Sequence, residues 1–201
     1  MAQLEFFFDC SSPWTYLAFT RIHEAVARTG ATVIWKPILV GGVFNEVNKD
    51  VYERRANPEP RKQNYYRKDL ADWARHTRIK IGAPPVFPVN SVKAMRGALI
   101  AQDDGKLVPY ATAAFQAYWG DLLDISQDHI LSQVAEYVGY KPAEFLARIG
   151  EPQVKARLKA NTDELIARGG FGSPTMFVNT NDMYFGNDRL PLLEAALSGR
   201  G

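Results

Sequence analysis

The strand signals of this chain lie at its two ends. Residues 3 to 9, QLEFFFD, form a short aromatic run bounded by a turn-like cluster, which predicts a buried strand. ATVIWKPIL at 31 to 39, β-branched and aromatic with Pro37 near its end, predicts a second. Between them Trp14, Leu17, Ala18, Ile22, Ala25 and Val26 fall on one face at helical spacing, and Gly30 closes the helix. From about Val51 to Arg168 the pattern is helical, with segments at 60 to 77, 91 to 102, 108 to 119, 127 to 138 and 152 to 169. Strand signals return in PTMFV (174 to 178) and DMYF (182 to 185), joined by Asn179-Thr180-Asn181 and followed by a helix at about 188 to 198. The sheet is therefore split in sequence. The expected architecture is an α/β domain made of residues 1–50 and 169–201, with a helical domain, 51–168, inserted in its middle.

Composition narrows the function classes. A chain of 201 residues that is 46% hydrophobic can bury a core without staples. A formal charge of +2 from 24 basic and 22 acidic residues, with no long basic run, argues against a nucleic-acid partner. The apolar run near residue 6 is interrupted by Glu5 and Asp9 and fits neither a signal peptide nor a membrane span, so a soluble, cytoplasmic protein with no membrane partner is expected. A single cysteine excludes an internal disulfide, and no Cys and His cluster has metal-ligand spacing, so no metal is expected. His23, His76 and His129 stand far apart among polar neighbours and read as solvated surface residues.

Chemistry concentrates in DCSSPWTYLA, residues 9 to 18. If the strand ends near Cys10, Ser12 is the helix N-cap and Pro13 occupies the first helical position, where its missing N–H costs nothing. By itself that makes Ser12 a cap. A hydroxyl there also sits in a positive field beside unpaired N–H groups, which favours a bound anion. Cys10, at a strand end, reads as a small apolar residue and ranks below Ser12. With neither Gly-x-Ser-x-Gly nor a nearby histidine, Ser12 is better suited to stabilising an anion than to attacking a substrate. In GGFGSPTMFV, 169 to 178, Ser173-Pro174 directly precedes a strand. The default there is an ordinary trans proline.

FFFDCSSPWTYLA, GSPTMFV and YFGNDRLPLLEAAL, with KQNYYRKDLADWA, FPVNS and AYWGD between them, resemble the 2-hydroxychromene-2-carboxylate isomerase family. That family is related to kappa-class glutathione transferases and, more distantly, to DsbA-like disulfide oxidoreductases. The resemblance spans essentially the whole chain. It implies a thioredoxin-like fold with an all-helical insertion, a cis Pro174 facing the first helix, glutathione as cofactor, a small aromatic carboxylate as substrate, and a homodimer. The Cys-Pro-x-Cys motif of the redox branch falls on Ser12-Pro13-Trp14-Thr15, so hydroxyl residues replace both redox cysteines and dithiol exchange lacks its thiols.

The resemblance also implies roles. Ser12 favours the ionised form of the glutathione thiol. Ser173 pairs through its backbone with the cysteinyl part, and Pro174 sets the geometry. Asn187 and Asp188 hold the γ-glutamyl end, although Asp188 alone reads as an N-cap of the last helix. Lys62 pairs with the glycyl carboxylate, or is simply solvated. Asn57, in ANPEP, departs from the family spacing and is left unassigned. Trp14, Phe44 and Trp119 line an aromatic pocket, or are core. The activity implied is conversion of 2-hydroxychromene-2-carboxylate, or a related intermediate of aromatic catabolism, to trans-o-hydroxybenzylidenepyruvate. The alternatives are a kappa-like glutathione transferase or peroxidase, and a catalytically silent thioredoxin-like binding module.

Overall fold

A computed structural model describes residues 2–199. Residues 1, 200 and 201 of the two outer segments fall outside that range. The chain begins β1 (Gln3–Phe8), α1 (Pro13–Thr29), β2 (Thr32–Pro37), continues through α2 (Val40–Val47), α3 (Asp50–Ala56), α4 (Pro60–Thr77), α5 (Val92–Asp103) and α6 (Leu107–Phe115), and passes a π-helical turn (Gln116–Gly120). It then forms α7 (Asp128–Tyr137), α8 (Pro142–Ile149), α9 (Pro152–Ala167), β3 (Thr175–Val178), β4 (Asp182–Phe185), a 3-10 turn (Asn187–Arg189) and α10 (Leu190–Leu197). The four strands make one sheet in the order β2-β1-β3-β4. β1 runs parallel to β2 and antiparallel to β3, and β3 pairs antiparallel with β4. This is the expected α/β, thioredoxin-like arrangement, with its strands drawn from both ends of the chain.

The FFF run of β1 follows from its position. Successive strand residues face opposite sides of a sheet. Leu4, Phe6 and Phe8 enter the main core with Phe19 and Phe115, while Phe7 enters a second cluster with Ile38, Val43, Leu165 and Phe177. A strand covered on both faces has no solvent side to alternate toward. Phe19 lies 5.1 Å from Trp35, 5.3 Å from Phe115 and 5.5 Å from Phe8 between ring centroids, tilted contacts worth about 0.5–1.5 kcal/mol each beyond burial. Under the sheet, Glu5 pairs with Arg168 at 2.5 Å, and Arg168 and Lys36 both hold Glu164 at 2.9 Å. The Arg168 guanidinium also lies 3.9 Å from the Phe177 centroid, fixing α9 to the sheet.

Three helices that the periodicity does not announce appear: α2, α3 and α8. Val40-Gly41-Gly42-Val43 is a poor helix start, since each glycine costs about 1 kcal/mol. Tertiary contacts override that. The Val40 N–H donates to buried Asp9 at 2.8 Å and the Leu39 N–H to Thr162 Oγ1 at 3.0 Å. Gly42 faces α9 so closely that a Cβ there would stand 3.2 Å from Thr162 Cγ2. Among the described residues, no helix is long and apolar enough to cross a membrane.

Candidate active site

β1 delivers the chain to a tight turn ahead of α1. Ser12 caps α1 in extended conformation, and its Oγ accepts the Thr15 N–H at 3.2 Å. The same hydroxyl donates to the Ser173 carbonyl at 3.1 Å, across 161 residues of sequence. The Ser173-Pro174 bond is cis. Ser173 Oγ meets Thr15 Oγ1 at 2.7 Å and accepts the Asp9 N–H at 3.1 Å. The two hydroxyl residues standing at the redox-motif positions, Ser12 and Thr15, thus both bond to Ser173.

The loop extends to the third motif. The Gly186 N–H donates to the Pro174 carbonyl at 3.2 Å, which brings the residues after β4 alongside. Gly186 has φ +102°, a region closed to side-chain-bearing residues, and this bend turns Asn187 inward. Asn187 is 3% exposed, and its Nδ2 has no hydrogen-bond partner. A buried amide left unpaired costs about 1–3 kcal/mol unless a ligand takes its protons. Asp188 is exposed and pairs with Arg189 at 2.5 Å. It does not cap α10, whose N-cap is Arg189 and carries no side-chain cap bond.

The remaining residues of the site fall around this centre. Trp14 is half-buried and meets Tyr66 of α4 edge-on at 5.5 Å. Lys62 is exposed in the first turn of α4, four residues before Tyr66, and its N–H goes to the Glu59 carboxylate at 2.8 Å. Phe44, on α2, is half-buried, and its ring edge lies 3.9 Å from where Gly172 would carry a Cβ. Trp119 is 3% exposed, with its indole N–H donated to the Cys10 carbonyl at 2.9 Å. It is therefore buried against the turn that carries Ser12, and Phe87, 48% exposed, lies 6.0 Å from it between ring centroids. Asn57 ends α3. Of the histidines, His23 is half-buried against Phe19 and Trp35, at 5.5 Å from each, and burial lowers its pKa; His76 and His129 are exposed.

Beneath the turn lie two buried titratable groups. Cys10 is fully buried, and burial first, then the Asp9 charge, push its thiol well above the usual value, which keeps it protonated and unreactive. The Asp9 carboxylate accepts from the Ser11 N–H at 2.9 Å, the Val40 N–H at 2.8 Å and the Ser91 hydroxyl at 3.0 Å. Burial raises its pKa, and these three donors pull it back. Asp9 ties the starts of α2 and α5 to the turn that carries Ser12. Its role was hidden in the sequence because two of its donors come from 31 and 82 residues away. Phe87 gave only the weak signal of a Phe-Pro pair in a proline-rich loop, and that bond is also cis.

The model of the DSBA-like thioredoxin domain family matches residues 3–198. The chain belongs to that family. Its relatives include 2-hydroxychromene-2-carboxylate isomerase of Sphingobium xenophagum, 27% identical over 96% of this chain and 97% of that protein. Glutathione S-transferase kappa 1 of Homo sapiens is 27% identical over 94% of this chain and 88% of its own length. A solved 2-hydroxychromene-2-carboxylate isomerase superposes with a TM-score of 0.82 at 27% identity, covering 98% of this chain and 95% of that one. Ser12 and Thr15, which the sequence resemblance sets against the two redox cysteines, carry hydroxyls. The chain's one cysteine is buried, so it cannot shuttle a disulfide by itself.

Proposed function

We propose that the protein is a glutathione-dependent isomerase of a small aromatic carboxylate of the 2-hydroxychromene-2-carboxylate type. The observation that carries this reading is the joining of the Ser12 hydroxyl, at a helix N-terminus, to a cis-proline loop flanked by the buried, unpaired amide of Asn187. Such a centre supplies hydrogen-bond donors and a positive field but no thiol, which fits a thiol brought by a cofactor. Full-length similarity to named isomerases supports the substrate class.

When bound, glutathione supplies a thiolate that adds reversibly to the conjugated substrate and lets a former double bond rotate. Ser12 turns its proton from the Ser173 carbonyl toward the sulfur and, with the dipole of α1, favours the ionised form. Ser173 and the cis Pro174 present backbone groups to the cysteinyl part. The Asn187 amide and Asp188 carboxylate take the γ-glutamyl end, and Lys62 on α4 is assigned to the glycyl carboxylate. Phe44 and Trp14 offer aromatic faces to the substrate ring, with Trp119 bracing the floor behind Cys10.

The kappa-like transferase remains the second reading, because the human relative matches over nearly the same span. Turnover separates them. With 2-hydroxychromene-2-carboxylate and a trace of reduced glutathione, the isomerase gives many product molecules per glutathione, and the thiol is recovered. Stoichiometric loss of thiol with an electrophile, and no catalysed isomerisation, would replace this reading by the transferase.

A further inference from the structure

Arg55, in the last turn of α3, lies over two aromatic rings at once, 5.5 Å from the Phe44 centroid and 5.3 Å from that of Phe87. The rings belong to two different borders of the Ser12 site. Phe44 reaches toward Gly172, beside Ser173, and Phe87 lies 6.0 Å from Trp119, which holds the Cys10 carbonyl. The Arg55 charge is felt at the phenols of Tyr66, against Trp14, and of Tyr118, beside Trp119, where it opposes the upward push of burial. Among the described residues no ion pair to a carboxylate is formed by Arg55 or by its neighbour Arg54, whereas Arg28 and Arg168 each hold two carboxylates and Arg75, Arg148, Arg157 and Arg189 one.

A guanidinium seated on ring faces is oriented without losing its in-plane N–H edge, and that edge matches the two oxygens of a carboxylate. The flanking rings at the same place offer flat apolar faces for an aromatic body. We infer that Arg55, seated between Phe44 and Phe87, is the receptor for the carboxylate of the aromatic substrate and makes the site select aromatic acids over their neutral analogues. This assignment rests on the isomerase reading for its substrate class, but it concerns binding, which is measured apart from turnover.

The test uses the full chain with chromone-2-carboxylate and chromone-2-carboxamide as probes, titrated by tryptophan fluorescence into the wild type, Arg55→Ala, Arg55→Lys and the neighbouring Arg54→Ala. The wild type should prefer the acid by about tenfold or more, the gain expected for a charge-assisted pair. Arg55→Ala should erase that preference while binding the amide as before, Arg55→Lys should restore part of it, and Arg54→Ala should leave it intact. In turnover, Arg55→Ala should raise KM about tenfold with kcat changed less than about threefold. Equal acid affinity in wild type and Arg55→Ala would overturn the inference, as would a loss confined to glutathione binding. If Arg55-dependent acid binding appears without any glutathione-dependent isomerisation, the inference stands and the isomerase reading fails.

Discussion

The Ser12 oxygen accepts the Thr15 N–H and donates to the Ser173 carbonyl, so its removal takes away a cap as well as a donor. Ser12→Ala should lower stability by about 1 kcal/mol, the usual worth of a serine cap. Turnover should fall by about a hundredfold or more, the scale of losing one preorganised donor. Thermal unfolding and steady-state rates measured together separate the two effects; an unchanged rate would remove Ser12 from the mechanism. Cys10→Ala should leave turnover within about twofold, because a thiol that burial holds protonated supplies no nucleophile. Ser12 was legible because a serine followed by proline at a strand-to-helix junction obeys a local rule. Asn187 was legible only through resemblance, and Arg55 not at all, since what sets it apart is two rings that lie 11 and 32 positions away in the chain.

Elements with strong periodicity are legible in the sequence, while short ones held by tertiary contacts are not. α4 occupies residues 60 to 77 as expected, between Pro60 at its first position and the left-handed Arg78 at its end. The sequence hides α2 because its two glycines signal a turn, and it is Asp9 and Thr162 that hold it as a helix. The connection from β4 to α10 shows how one residue positions an element. At φ +102° Gly186 makes the bend that sets Asn187 inward, and a Cβ there would stand 2.8 Å from Asp188 Oδ1. Gly186→Ala should therefore destabilise the protein by about 1–3 kcal/mol and weaken glutathione binding together. Calorimetry on the variant at a temperature where it is still folded checks both. Loss of stability with unaltered glutathione affinity would separate this bend from the cofactor site.

At the scale of the whole molecule, one buried cluster unites the outer segments with the helices between them. Tyr16 stacks on Phe115 at 5.0 Å, Phe8 approaches the same ring at 6.5 Å, the Cys10 N–H meets Met95 Sδ at 3.3 Å, and Trp119 holds the Cys10 carbonyl. We propose the division into residues 1–50 with 169–201 and an inserted 51–168 as an order of elements along the chain. With the core shared across that division, we expect the protein to unfold in a single cooperative transition, and residues 51–168 expressed alone should not fold. Two resolved transitions in urea would contradict that. The same interlocking makes the site a property of the entire chain: Ser12, Thr15, Trp14 and Phe44 come from one end, Ser173, the cis-proline loop and the Asn187 amide from the other, and Phe87 and Trp119 from the segment between. Above all, we propose that this assembled centre binds glutathione. Its most direct test is a calorimetric titration of the wild type with reduced glutathione, beside Ser12→Ala, Asn187→Ala and Asp188→Ala. Saturable binding is expected in the wild type, weakened about tenfold or more when Asn187 or Asp188 is truncated. Absence of binding at millimolar glutathione would contradict the proposal.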